Sequence, residues 1–371
     1  MNRTISILSA SLALGSLTAC ADKVDASQST NFTLAATDDA CTVSGAEATT
    51  GTSTFEVTNN GEKTTEFYVY TSVGRVVGEV ENIGPGATRK LVVQITDPGD
   101  YTLTCTPGMV GDGFSQTLKV TGEAMEASTN EVLTQAVDGY ISYVRSQTTA
   151  LQGQVDAFVA AIESDEIDAA KELFPLARTP YERIEPVAES FPNDLDPRID
   201  LREADIQEGD TWSGFHKIEK DLWVNKKITD ETKADAAQLK QDIAELVDGV
   251  AADDYTLASG AQGLLDEIAT SKITGEEDIF SHTDLYDFQA NLDGSRAAIA
   301  SLEKALNERD PQLLTDTNER FDAVQTLLDT YREGDGFVSY DKVSQDERRE
   351  LSDALDVLTE KVSTVQEVVA S

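Results

Sequence analysis

The hydrophobic period of this chain changes once, near residue 122, and the change dictates two domains of different class. Before it, runs of β-formers alternate with turn residues, so 53–59, 66–71, 90–95, 101–105 and 116–121 read as strands. Asn60-Gly61, Gly84-Pro85-Gly86 and Asp97-Pro98-Gly99-Asp100 supply turns between them. Short strands at close spacing predict a small β-sandwich over residues 30–121. Residues 122–130 form a short polar linker. From 131 to 371 the pattern is helical. Leu133, Val137, Tyr140, Val144, Leu151, Val155, Phe158 and Ile162 form one apolar stripe on a long helix. Ser344 and Glu347 form a capping box for a last helix, whose buried face is Leu351, Leu355, Leu358, Val362, Val365 and Val369. Helical stretches over 165–173, 211–224, 231–249, 254–271, 284–307 and 311–332 lie between, and Pro175, Pro180, Pro186, Pro192 and Pro197 break up the region after residue 174. The expectation is an α+β two-domain chain, a β-sandwich followed by an all-α domain of packed antiparallel helices.

Residues 1–20 read as an export signal. Arg3 precedes an apolar run over 5–17, and Leu17-Thr18-Ala19-Cys20 matches a bacterial lipobox. Cleavage before Cys20 and lipidation of its thiol would tether the mature chain to a membrane; an ordinary secretory signal with an incidental Cys is the alternative. The apolar run is too short to read as a membrane-spanning helix. Export means an oxidising compartment, where Cys41 and Cys105 remain as an even pair. Lys and Arg number 29 against 68 Asp and Glu, a formal net charge of −39. That charge excludes nucleic acid, which needs a basic surface, and it attracts cations at long range.

Only two histidines occur, His216 and His282, and both sit beside carboxylates. His216 and Glu219 share one helix face at a spacing of three, where they can grip one cation together. The same spacing suits a solvent-exposed pair. Glu182 and Glu185 repeat it, with Arg183 as the salt-bridge partner of that segment. Glu276, Glu277, Asp278, His282 and Asp284 form a third cluster, which also reads as an acidic helix start capped by Thr283 or Asp284. Asp194, Asp196 and Asp200 offer further oxygens or a solvated loop. Carboxylates with one imidazole suit iron, manganese or zinc better than copper(I), and a structural zinc site would use more Cys or His. The set points to iron, as Fe2+ or Fe3+, with zinc and manganese as alternative occupants.

Tyr181-Glu182-Arg183-Ile184-Glu185-Pro186, Gly214-Phe215-His216-Lys217-Ile218-Glu219-Lys220 and the run over 271–294 together resemble the EfeO/EfeM iron-uptake family. The resemblance covers essentially the whole mature chain. It implies a cupredoxin-like domain over 30–121 and an imelysin-like HxxE domain of two four-helix bundles over 131–371. It implies a metal near His216 and Glu219, with Glu182, Glu185 and Asp200 as further ligands and Glu277, His282 and Asp284 as additional candidates. The implied cargo is iron, with zinc or copper as other candidate metals. The implied partners are a membrane iron permease and a haem peroxidase; the expected setting is the periplasm or cell envelope with lipid at Cys20, and no enzymatic activity is expected. In the β-domain the resemblance puts Cys41, Glu66 and Cys105 where candidate metal ligands lie. An ordinary blue-copper site needs two His, and this domain has none. Either Cys41, Glu66, Cys105 and Met109 form an unusual second metal site, or Cys41 and Cys105 form a disulfide. Two other functions compete. An HxxE metallopeptidase would want a second His four residues on, where Lys220 stands. An acidic surface lipoprotein would bind a partner through its helices without metal.

Overall fold

The structure is a computed structural model that describes residues 30–370 apart from 75, 109–110, 112, 125–130, 190, 192–194, 207–210 and 253–276. The lipobox at Cys20, Met109, Asp194, Glu276, the helix expected over 254–271 and most of the 122–130 linker lie outside the described residues.

The N-terminal part is built from nine strands among the described residues: β1 Thr30–Thr37, β2 Ala40–Val43, β3 Glu47–Thr49, β4 Gly51–Asn59, β5 Thr65–Tyr70, β6 Val76–Ile83, β7 Thr88–Ile95, β8 Gly99–Pro107 and β9 Phe114–Thr121. They form two sheets, β2-β1-β4-β7 and β3-β9-β8-β5-β6. Alternation decides which face turns inward: Phe55 and Val57 of β4, Leu91, Val93 and Ile95 of β7, Phe67 and Val69 of β5, and Leu103 of β8 are buried in one core. Phe32 stacks on Phe55 at 5.0 Å and Phe55 meets Phe67 at 5.2 Å, so the aromatic contact crosses from one sheet to the other. The strands missing from the sequence reading have weak signals. β3 is three residues long, β6 carries Gly78 and two glutamates, and β1 is rich in Thr and Ala. Tertiary pairing makes them strands: β1 runs parallel to β4, and β3 parallel to β9. Cys41 of β2 and Cys105 of β8 are joined as a disulfide that ties the two sheets together.

The C-terminal part is helical: α1 Glu131–Glu163, α2 Ile167–Glu182, α3 Glu185–Glu189, α4 Leu195–Asp200, α5 Phe215–Lys220, α6 Asp230–Ala252, α7 Asp284–Ser301, α8 Glu303–Arg309, α9 Pro311–Asp329 and α10 Gln345–Ala370. The apolar stripe on α1 is its core face, packed against α2 and α6, and α9 packs against α10. Glu347 accepts from the Ser344 backbone N–H at 2.8 Å, closing the capping box at the start of α10. Among the described residues a small hairpin, Arg332–Glu333 with Gly336–Phe337, interrupts the helices.

Three expectations need correction. Pro175 and Pro180 do not break the helix, and α2 continues through both to Glu182. An internal proline costs about 3 kcal/mol in an isolated helix. Here Phe174, Ala177, Arg178 and Tyr181 are fully buried on one face, and that packing outweighs the local penalty. Pro186 and Pro197 instead fall in the first turns of α3 and α4, where proline is tolerated. The helix expected over 211–224 shrinks to α5 followed by a π-helical turn, Asp221–Asn225. The stretch 284–307 is two helices, broken at Leu302.

The disulfide closes a sequence separation of 64 residues, so the paired Cys41→Ser, Cys105→Ser variant is expected to lose about 4 kcal/mol on the chain-entropy account. Denaturant titration of the β-domain transition checks this. The helical transition should stay where it is.

Candidate metal centre

Four segments converge on one buried polar cluster. α2 supplies Arg178 and Glu182, the end of α4 supplies Asp200, and α5 supplies His216 and Glu219. The turn before α7 and its first helical turn supply Glu277, Asp278, Asp284 and Asp287. None of these nine residues is more than 7% exposed.

Two glycines permit the convergence. Gly214 has φ of +84°, and a Cβ there would lie 2.1 Å from the Ile199 carbonyl oxygen. Only glycine lets α5 begin against the end of α4, which sets His216 beside Asp200. At Gly294 a Cβ would lie 2.3 Å from the Arg183 carbonyl oxygen, so α7 runs hard against the end of α2. Asn291 of α7 then donates to the Glu182 carbonyl at 2.8 Å. Phe215 anchors α5 among Phe158, Phe174 and Tyr181, with ring centroids 6.2–6.3 Å away.

The two ends of the His216 ring differ. Nδ1 lies 3.1 Å from Glu219 Oε2. Glu219 Oε1 in turn accepts from the backbone N–H groups of Phe280, at 3.1 Å, and Ser281, at 2.7 Å. Glu219 therefore clamps the imidazole to the turn that carries Glu277 and Asp278. Nε2 is buried and makes no aligned hydrogen bond. It faces Asp200 Oδ1 at 3.4 Å and Glu277 Oε1 at 3.5 Å. Asp200, His216 and Glu277 thus present three ligand atoms within 4.8 Å of one another, and His216, Glu219 and Asp278 form a second such group. A metal-ligating histidine is held by a carboxylate at one nitrogen and gives the other to the ion, and here Nε2 would have to lose its proton to do so.

Arg178 shares the cluster. Its guanidinium grips Asp200, lies 2.5 Å from Glu182 and 3.4 Å from both Glu277 and Asp278, and has Asp287 at 3.6 Å. At the rim, Arg202 pairs with Asp205 at 2.6 Å and lies 3.5 Å from the outer oxygen of Glu277. Seven carboxylates against Arg178 and His216 leave excess negative charge in a desolvated place, and protonation equilibria respond. Burial pushes Glu182 and Asp287 well above the carboxylate range, against the pull of Arg178. Burial likewise raises Asp278, and raises Asp284 to about 6. At His216, burial and Arg178 both favour the neutral ring, but Asp200, Glu219 and Glu277 prevail and carry it up to about 10.

The residues singled out from the sequence are therefore distributed unequally. His216, Glu219, Asp200, Glu182, Glu277 and Asp284 come together. Glu185 is buried beside Glu182 and Tyr181, whose ionisation it affects, but joins neither ligand group. Asp284 Oδ1 accepts from the Asp278 backbone N–H at 3.3 Å. His282 stays outside both groups; its backbone is left-handed at φ +58°, with N–H to Asp278 O and its carbonyl receiving Tyr340 N–H. Arg183 does not serve the Glu182/Glu185 pair; it reaches Asp293 at 2.8 Å. In the β-domain the disulfide leaves Cys41 and Cys105 without thiolates to ligate a metal, and Glu66 accepts from Tyr68 at 3.0 Å. Sequence reading missed Arg178 and Asp287. Each had a faint signal, Arg178 four residues before Glu182 and Asp287 three after Asp284.

A family model described as imelysin, of peptidase family M75, matches residues 136–365, and one described as a cupredoxin-like domain matches residues 10–115. An Efem/EfeO family lipoprotein of Staphylococcus haemolyticus is 46% identical over 237 residues, 62% of this chain and 82% of its own. The iron uptake system component EfeO of Escherichia coli O1:K1 is 36% identical over 346 residues, 90% of each chain. The protein of the same name in Shigella flexneri is 36% identical over 343 residues, again 90% of each. Among solved structures, dithionite-reduced auracyanin of Roseiflexus castenholzii overlaps 26% of this chain and 99% of its own at 13% identity and a TM-score of 0.21, too slight an overlap to carry a structural likeness.

The raised acids set a sign for pH dependence. Asp284 titrates at about 6 when folded and near 3.8 when exposed, so its contribution to stability is full below 3.8 and is lost as pH rises through 6. The metal-free protein is expected to lose thermal stability between about pH 4 and 6, and Asp284→Asn should flatten that slope. Differential scanning calorimetry across this range, in the presence of a chelator, checks both.

Proposed function

The chain belongs to the EfeO/EfeM iron-uptake family, and on that premise we propose that its helical domain captures one iron ion with His216 Nε2, Asp200 and Glu277 and passes it to a membrane permease. The observation that carries the reading is the buried Nε2 of His216, which makes no aligned hydrogen bond and faces two carboxylates while Glu219 holds the opposite nitrogen. Two oxygens and one imidazole suit ferrous or ferric iron, with zinc as a competitor. In this reading Glu219 is a positioning residue behind the ligands. Glu182 and Asp284 balance charge around them. The site lies in an exported protein anchored by lipid at Cys20 in the cell envelope, and a haem peroxidase of the same system is a further partner.

A metallopeptidase reading would make Glu219 the general base that activates a metal-bound water. Its oxygens already serve one imidazole and two backbone N–H groups, which argues against that role. The capture reading needs only entry, ligation and release.

Equilibrium titration with ferrous iron under anaerobic conditions, and with ferric iron, tests the site. His216→Ala and Asp200→Asn are expected to abolish tight binding. Glu219→Gln should weaken it by about 10–100-fold, the usual cost of losing an outer partner, with the same set of ligand atoms seen by X-ray absorption. Unchanged affinity in His216→Ala would overturn the assignment. Metal-dependent peptide cleavage lost in Glu219→Gln would favour the peptidase. A wild-type protein that binds no transition metal would leave the acidic surface lipoprotein.

A further inference from the structure

Arg178 touches the oxygens a metal would need. Its guanidinium grips Asp200 Oδ1, the atom that lies 3.4 Å from His216 Nε2. Its Nη2 lies 3.4 Å from Glu277 Oε1, the atom 3.5 Å from the same nitrogen. Arginine keeps its charge at any pH a protein meets, so this cation cannot leave by losing a proton. A guanidinium and a metal ion cannot both hold these two oxygens at full strength, because they repel each other across a desolvated cluster.

We propose that Arg178 is a built-in competitor of the metal: it holds Asp200 and Glu277 when no metal is bound and sets how readily a bound ion is released. The proposal rests on the capture reading above. A second seat for the guanidinium is already present. Its Nε makes no aligned hydrogen bond, and neither does Asp278 Oδ1 at 3.4 Å nor Asp287 Oδ1 at 3.6 Å. On metal binding, Arg178 gives up Asp200 and Glu277, keeps Glu182, and closes on Asp278 and Asp287, so the guanidinium keeps carboxylate partners in both states. The backbone favours such a shift. Pro175 and Pro180 bracket Arg178, and neither can donate to the carbonyl four residues earlier, on Lys171 and Leu176. The turn that carries the guanidinium therefore has fewer hydrogen bonds to strain.

The test uses full-length protein loaded anaerobically with ferrous iron, with release followed by an excess of a chromogenic ferrous chelator. Arg178→Ala is expected to release iron roughly tenfold more slowly or slower still, with an affinity gain of the same order. Guanidinium chloride at tens of millimolar should restore fast release in that variant, and sodium chloride at equal concentration should not. Arg178→Lys, which keeps the charge but loses the fork, should fall between. Unchanged or faster release from iron-loaded Arg178→Ala overturns the proposal. Should that variant not fold, Arg178→Lys decides alone, slower release supporting the proposal and unchanged or faster release overturning it. Failure of the wild-type protein to bind iron is a different result, since it removes the capture reading itself.

Discussion

The organising constraint of the helical domain is a charge imbalance where water cannot reach. Seven carboxylates gather around one guanidinium and one imidazole, each almost fully buried. Isolated buried charges are strongly unfavourable, and burial of an ion pair seldom gains stability over a well-packed apolar core. The cost of keeping so many acids inside is what the proposed capture of a cation would offset. Four irregular features of the domain meet at this cluster: a helix continued through two prolines that carries Arg178, a glycine that seats α5, another that seats α7, and a tight turn whose backbone amides hold Glu219.

Much of this was legible from residue patterns alone. The switch of period at residue 122 separated the two domains, and the apolar stripes of α1 and α10 set their buried faces. Scarcity of histidine singled out His216. Pro175 and Pro180 mislead because their cost is local while the packing of Phe174 and Tyr181 that overrides it is not. Arg178 escaped notice because a lone arginine in a helix normally signals solvent; only the fold shows five carboxylates around it. His282 also stands beside carboxylates in the sequence and was an additional candidate. The left-handed backbone at His282 spends that residue on the turn, with Asp278 and Tyr340 as its main-chain partners.

The β-domain answers the sulfur question differently from a metalloprotein. Cys41 and Cys105 bridge one sheet to the other, so their chemistry is consumed in holding the sandwich together. A two-sheet domain of some ninety residues has a modest core by surface-to-volume scaling, and a covalent tie between its layers compensates.

The helix bearing His216 and Glu219 is only six residues long and passes directly into a π-helical turn ending at Lys226 in a left-handed conformation. A segment that short has no independent tendency to stay helical. Its shape is lent by the Gly214–Ile199 contact, by the aromatic nest around Phe215 and by the amides of Phe280 and Ser281. The spacing of His216 and Glu219 thus stores no geometry of its own. Transplanted as a peptide, the motif would be inert. Kept in place, its geometry is set by side chains as far along the chain as Phe158, whose ring packs on Phe215 beside the imidazole.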